Sequence, residues 1–307
     1  MMIMLGCIGA FFLLLIGIFI LKNKEVIEAS ELRAQEKVLS IALSDGQTAY
    51  WTYGNSNDPV LVMVHGALIP SVSFDGLAEW FANKGFYVIT YEHYGRGFSD
   101  RVDFVPTKEL YQRQLLELID TLVPNRPIRL MGYSLGGAIS TVFTAQNPNR
   151  VKTLTLIAPL VKDPSMAALK LFRLPLFGSW LFRVVLVDKI IKHSTGVFVT
   201  NPNHAELAKR IQQQYAVRGT EYMILSSFKE HQSLDFLDYY KQLKQLKKPM
   251  QLFAGKVDHL IPFKTIQTAR TVMGTHEYYE FDNDHDLIQV KREEILPLIN
   301  TFLNENV

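Results

Sequence analysis

The stretch Ile128-Arg129-Leu130-Met131-Gly132-Tyr133-Ser134-Leu135-Gly136-Gly137 decides how this chain is read. Its first residues form a largely apolar run of strand length, and Leu135 to Asn147 reads as a helix. Ser134 therefore falls at a strand-to-helix junction, where the turn is so tight that residues two before and two after must be small. Gly132 and Gly136 meet that demand. Such a turn pushes the hydroxyl clear of a sheet, and the following helix aims its first N–H groups at the same spot, favouring negative charge there. The stretch thus implies layered α/β structure and an activated serine.

Outward from it the pattern repeats. Runs apolar on both faces, as strands of a covered parallel sheet should be, occur at 59–64, 86–90, 128–131, 154–157 and 250–253, with a further strand at 277–281. Residues 41–53, with Asp45-Gly46 in the middle, read as a strand hairpin. Helix-length segments lie between most strands, at 77–84, 107–123, 135–147 and 266–273, and a last one spans 287–303. This alternation predicts a mostly parallel central sheet with helices on both faces. Between Ile157 and Met250 the rhythm breaks into helical periodicity, which predicts an inserted helical cap over 160–247. Within it, 170–192 combines large apolar residues with an excess of basic ones, suiting helices packed over the site, or a cap that also touches an anionic membrane surface. The core is then 40–159 joined to 248–307.

A serine hydroxyl is a poor nucleophile without a base, and the base needs an orienting group. Of 8 histidines, His285 follows the last strand in the loop Asp282-Asn283-Asp284-His285-Asp286, where a base belongs. His193, His204 and His231 fall in the cap, His276 at the start of a strand, and His259 beside the candidate acid. That acid is Asp258, in the loop 255–262, with Asp163 as the alternative one strand earlier. The developing oxyanion needs two N–H donors. Leu135, just after the serine, and Ala67, in the loop His65-Gly66-Ala67-Leu68, are the candidates. His65 is read as structural.

From about Ser40 onward the chain resembles the α/β-hydrolase superfamily, particularly its capped lipases, esterases and carbon–carbon-bond hydrolases. The resemblance rests on His65-Gly66-Ala67, Tyr94-Gly95-Arg96-Gly97-Phe98-Ser99, Gly132 to Gly137, Gly255-Lys256-Val257-Asp258 and Asp284-His285. It implies the α/β-hydrolase fold, a Ser134-His285-Asp258 triad and no cofactor or metal. The implied reaction is hydrolysis of a carboxylic ester, lipid-like as in membrane-anchored monoacylglycerol lipases. Carbon–carbon bond hydrolysis, or a catalytically silent membrane-tethered binding protein, are the alternatives. Two positions depart from the usual pattern. Glu92 stands where Asp is common, and Asp284 stands where Gly usually precedes the histidine.

The 32 basic and 30 acidic side chains give a net charge of +2, no reason to expect a nucleic-acid partner. A single cysteine, Cys7, excludes an internal disulfide framework. Met1 to Leu21 carries no charged side chain, and as a helix it would span about 31 Å, matching a bilayer core of about 30 Å. It is therefore read as an N-terminal transmembrane helix and membrane anchor, against the alternative of a cleaved signal peptide. Residues 22–39, rich in charge, read as a solvated helical stalk.

Overall fold

The computed structural model describes residues 2–162, 171–172, 174–231, 235–275 and 277–306, with side chains from Leu5 onward except that of His231. Among them the sheet has strands β1 (Ser40–Leu43), β2 (Gly46–Tyr53), β3 (Val60–Val64), β4 (Tyr87–Tyr91), β5 (Ile128–Tyr133), β6 (Val151–Ile157), β7 (Met250–Gly255) and β8 (Glu277–Phe281). Their order is β1-β2-β4-β3-β5-β6-β7-β8. The first two are antiparallel to their neighbours and the rest run parallel. The order reverses around β3 and β5, the switch point where α/β sheets open a crevice at the strand ends. Val64 pairs with Gly132, Tyr133 with Ile157, and Gly255 with Phe281, so the loops after β3, β5, β7 and β8 leave from one edge.

The alternating pleat divides the core between two faces. Val60, Val62, Val64, Ile128 and Leu130 pack in one apolar cluster, and Leu61, Met63, Met131 and Tyr133 in the other. This explains Arg129 inside an apolar strand. It falls on the second face, its guanidinium 5.6 Å from the centre of the Phe86 ring. The helices that cover the sheet are, in chain order, α3 (Leu77–Ala82), α4 (Lys108–Leu122), α5 (Leu135–Gln146), α10 (Leu237–Leu246), α11 (Phe263–Met273), α12 (Leu287–Val290) and α13 (Arg292–Glu305). The last expected helix is thus two, broken at Lys291.

The interval 160–247, read as one insertion, divides in the structure. Helices α6 (Phe177–Leu181), α7 (Val187–Gly196), α8 (His204–Ala216) and α9 (Thr220–His231) build their own apolar cluster, with Phe172, Phe182, Val187, Tyr215, Ile224 and Leu225 buried. A π-helical turn, Phe182–Leu186, joins α6 to α7. By contrast Phe236, Tyr240 and Leu243 of the α10 region are buried in the main core beside Leu154 and Leu252.

The N-terminal expectations need correction. Helix α1 runs Met2–Leu21, yet among the described residues no helix is long and apolar enough to cross a membrane. The second half of α1 also lies against the 177–188 helices: Trp180 Nε1 donates to Leu15 O at 3.0 Å, Arg183 stacks over Phe19, and Lys22 pairs with Asp188. Nor is 22–39 a free stalk. Only α2 (Ala29–Glu36) is helical, and its Ala29 and Leu32 are buried with Phe98 and Val217. Arg33 adds a bond to Phe98 O and an ion pair with Asp100, each at 2.7 Å. The charge-rich composition concealed one apolar face, and that face packs.

Candidate active site

Ser134 has a positive φ, 55°, with ψ −120°. This is a strained backbone for a residue with a Cβ, kept only where its surroundings fix it. Here Ser134 N donates to Ile157 O at 3.0 Å and Leu160 N to Ser134 O at 2.9 Å. A side chain at Gly132 would strike the Gly136 carbonyl, and one at Gly136 the Val64 carbonyl. The turn closes only because both are glycine.

The structure brings Ser134, His285 and Asp258 together. His285 Nδ1 lies 2.8 Å from Asp258 Oδ2, and His285 Nε2 lies 2.8 Å from Ser134 Oγ. A carboxylate only accepts, so Nδ1 carries the proton and Nε2 accepts from the serine hydroxyl. The Asp258 side chain is fully buried and that of His285 is 13% exposed. Burying a carboxylate is costly unless its lone pairs are filled. Asp258 Oδ1 accepts the Leu260 and Ile261 N–H groups at 2.8 and 2.7 Å, which fixes the acid in place. Asp163 and His276 lie outside the described residues. His193 and His204 sit on α7 and α8, and the His259 ring turns to Asp284.

Tyr133 was not singled out by the sequence. Its ring stacks on that of His285 at 5.3 Å, and its hydroxyl donates to His285 O at 3.0 Å. Burial raises its pKa, so the phenol stays a donor. Its place immediately before the serine was the available signal.

Leu135 opens α5, so its N–H is one of the first-turn donors without an intrahelical partner. The 65–68 loop lies against the serine: a Cβ at Gly66 would stand 3.3 Å from Ser134 Cβ. His65 holds this loop, as a structural histidine should. The His93 N–H donates to its Nε2 at 3.1 Å, so Nδ1 carries the proton and donates to Gly66 O at 2.7 Å. Burial first, then the neighbouring His93, depresses its pKa well below the usual value and keeps the ring neutral.

The two departures are accounted for by bonds. Glu92 accepts from Ser71 Oγ at 3.0 Å and from the Phe98 N–H. Burial raises its pKa against those bonds and nearby arginines. Asp284 does not bond the His285 ring. Its Oδ1 accepts the main-chain N–H groups of His285 and His259 at 2.7 and 3.0 Å.

A family pattern described as Hydrolase_4, serine aminopeptidase S33, matches residues 55–280. The chain belongs to this family. Mouse monoglyceride lipase is 31% identical over 125 residues, 38% of this chain. That alignment covers only 41% of the mouse protein. A 2-hydroxy-6-oxononadienedioate/2-hydroxy-6-oxononatrienedioate hydrolase from Burkholderia vietnamiensis is 26% identical over 219 residues, 68% of this chain and 74% of its own. In three dimensions the enol-lactonase from Burkholderia xenovorans LB400 superposes with a TM-score of 0.72 at 17% identity. The superposition covers 87% of this chain and all of that one, a likeness that shows the α/β-hydrolase fold.

Proposed function

We propose that this protein hydrolyses carboxylic esters through an acyl-enzyme on Ser134. The observation that carries the reading is the continuous Asp258–His285–Ser134 hydrogen-bond chain, 2.8 Å at each step. Ser134 Oγ attacks the ester carbonyl while His285 Nε2 takes its proton. Asp258 holds the tautomer and stabilises the imidazolium. The N–H groups of Leu135 and Ala67 receive the oxyanion. The imidazolium then protonates the departing alcohol, and water, deprotonated by the same nitrogen, releases the acid. No metal or cofactor takes part in this scheme.

For the substrate we favour an apolar, lipid-like ester such as a monoacylglycerol. The similarity to monoglyceride lipases supports this, as do the exposed Leu171, Leu174, Leu176 and Phe177. The second reading, carbon–carbon cleavage of a vinylogous diketone, draws on the longer match to the oxononadienedioate hydrolases. Membrane attachment through α1 belongs to the lipid reading: Phe11, Phe12, Leu13, Leu14 and Ile20 are each more than half exposed, an apolar surface of the kind lipid covers. Fluorophosphonate labelling of the purified protein, followed by turnover of esters of graded chain length and of a vinylogous diketone, tests the reading. Labelling with a preference for long acyl chains supports it. Absence of labelling leaves a silent binding protein, and turnover of the diketone alone transfers the assignment to carbon–carbon cleavage.

A further inference from the structure

Three consecutive carbonyls beside the serine are each held by a buried side chain. Gly66 O accepts from His65 Nδ1, Ala67 O from Arg96 Nε, and Leu68 O from Gln214 Nε2 at 2.9 Å. None of the three side chains is more than 1% exposed. The described peptide bonds are all trans, and in a trans peptide the N–H points opposite to the C=O that shares its plane. Holding the Gly66 carbonyl through His65 therefore aims the Ala67 N–H, while holding the Ala67 and Leu68 carbonyls fixes the next two peptide planes, those of the Leu68 and Ile69 N–H groups, so that the chain after Ala67 cannot turn away.

Two of the three holders come from outside the loop, and both lead to the helices above the site. Gln214, on α8, also accepts from Gly97 N. Arg96 donates through Nη2 to Ser227 Oγ on α9 at 2.8 Å, and Ser227 Oγ donates to Ile224 O. The loop's side chains follow: Leu68 packs on the Phe172–Leu225 cluster, and Ile69 and Val72 on Phe198, Leu207 and Ile211. Arg96 is the informative residue. Its hydrogen bonds go to neutral acceptors, Ala67 O, Gly95 O and Ser227 Oγ, although burying a guanidinium is costly. What a cation adds at Ala67 O is a charge-assisted bond, stiffer than a neutral one, which polarises the peptide it holds.

We propose that Arg96 and Gln214 are positioning residues that lock the two peptide planes following Ala67 and so keep in place the Ala67 donor that His65 aims, and that helices α8 and α9 thereby support the geometry of the oxyanion site as well as covering it. The inference rests on the ester-hydrolase reading.

The test uses full-length Arg96→Met, Arg96→Lys, Gln214→Leu and Ser227→Ala, assayed on a soluble short-chain ester. Affinity for a trifluoromethyl ketone, which forms a tetrahedral adduct on the serine, is measured alongside. Removal of one oxyanion donor costs about 10²–10³ in kcat, so misaiming it should cost about 10- to 100-fold in Arg96→Met and Gln214→Leu, with KM within about twofold. The ketone should weaken in the same proportion, because it shares the tetrahedral geometry. Arg96→Lys should recover part of the loss, Ser227→Ala should lose little, and the pH profile of kcat/KM should stay in place, since the His285–Asp258 pair is untouched. A rise in KM alone, or unchanged ketone affinity, overturns the proposal. Should Arg96→Met fail to fold, Gln214→Leu and Arg96→Lys decide by the same comparison. A wild-type protein inert to both ester and fluorophosphonate would sink the ester-hydrolase reading itself, a failure visible before any variant is made.

Discussion

Asp284 Oδ2 meets His259 Nδ1 at 2.9 Å while Asp284 Oδ1 accepts the His259 main-chain N–H, so a single carboxylate ties the acid loop to the histidine loop. The usual glycine before the histidine could make no such tie. Partial burial opposes the Asp284 charge, but the N–H bonds from His259 and His285 and the His259 side chain outweigh it and hold its pKa below the ordinary value.

The sign of the pH effect follows. A depressed folded-state pKa contributes stability that is fully present above the ordinary aspartate value, about 3.9, and is lost as pH falls through the lower folded value. The side chain is 48% exposed, so solvent screening keeps the contribution small. Asp284→Gly should therefore lower the urea midpoint slightly at pH 6 to 7, with the gap from wild type closing below about pH 4. A gap that widened in acid would contradict the assigned direction.

Tyr133→Phe should keep the stack on His285 and lose only the bond to its carbonyl, costing about 1 kcal/mol in urea denaturation and a few-fold in kcat. Tyr133→Ala also leaves a cavity in the second apolar cluster, and a loss of about 3–5 kcal/mol is expected. Equal effects of the two changes would mean that the ring contributes nothing beyond its hydroxyl.

The strands were legible because each is an apolar run bounded by turn signals, and Ser134, His285 and Asp258 because each follows such a run. Side chains that act across the fold were not. Tyr133 reads as an ordinary strand residue until its ring is found on His285. Gln214 reads as one polar residue on a helix until its amide reaches Leu68 O, more than a hundred positions away. The α10 segment groups with its neighbours in sequence because helical periodicity says which face is apolar but not what covers it. Residues 22–39 are illegible for the opposite reason: charge dominates their composition, and a short buried face formed by Ala29 and Leu32 is invisible to an average.

His285→Ala should inactivate the enzyme nearly as fully as Ser134→Ala, whose loss is expected near 10⁶ in kcat, because members of such a set act as a unit. Asp258→Asn should cost about 10⁴ through loss of tautomer control. His259→Ala removes a ring that points at Asp284, not at Ser134, and should retain most activity. Steady-state kinetics on one soluble ester decide among them. A severe loss in His259→Ala with His285→Ala still active would move the base to the neighbouring loop.

The N-terminal helix carries two opposed features. Leu13 and Leu21 are 71% and 86% exposed, and Phe11, Phe12 and Leu14 lie beside them in sequence. Burying such side chains gains about 1.5–3 kcal/mol each, so contact with lipid is strongly favoured over contact with water. Against this, Leu15, Phe19, Lys22 and Lys24 bind α6, α7 and the turn between them, which keeps that half of α1 beside the folded domain. If α1 is the attachment, full-length protein should sediment with membranes and resist washing with salt, and deletion of residues 1–21 should release most of it. The remaining exposed Leu174, Leu176 and Phe177 could supply only reversible binding. The truncated protein should keep its rate on a soluble short-chain ester, since no residue of the site precedes His65. It should lose rate on a lipid held in vesicles, because attachment raises the local concentration of enzyme at that surface. Full-length protein washed off membranes by salt alone would leave α1 as a strut for the helices above the site, and the truncated protein should then lose activity on both substrates alike.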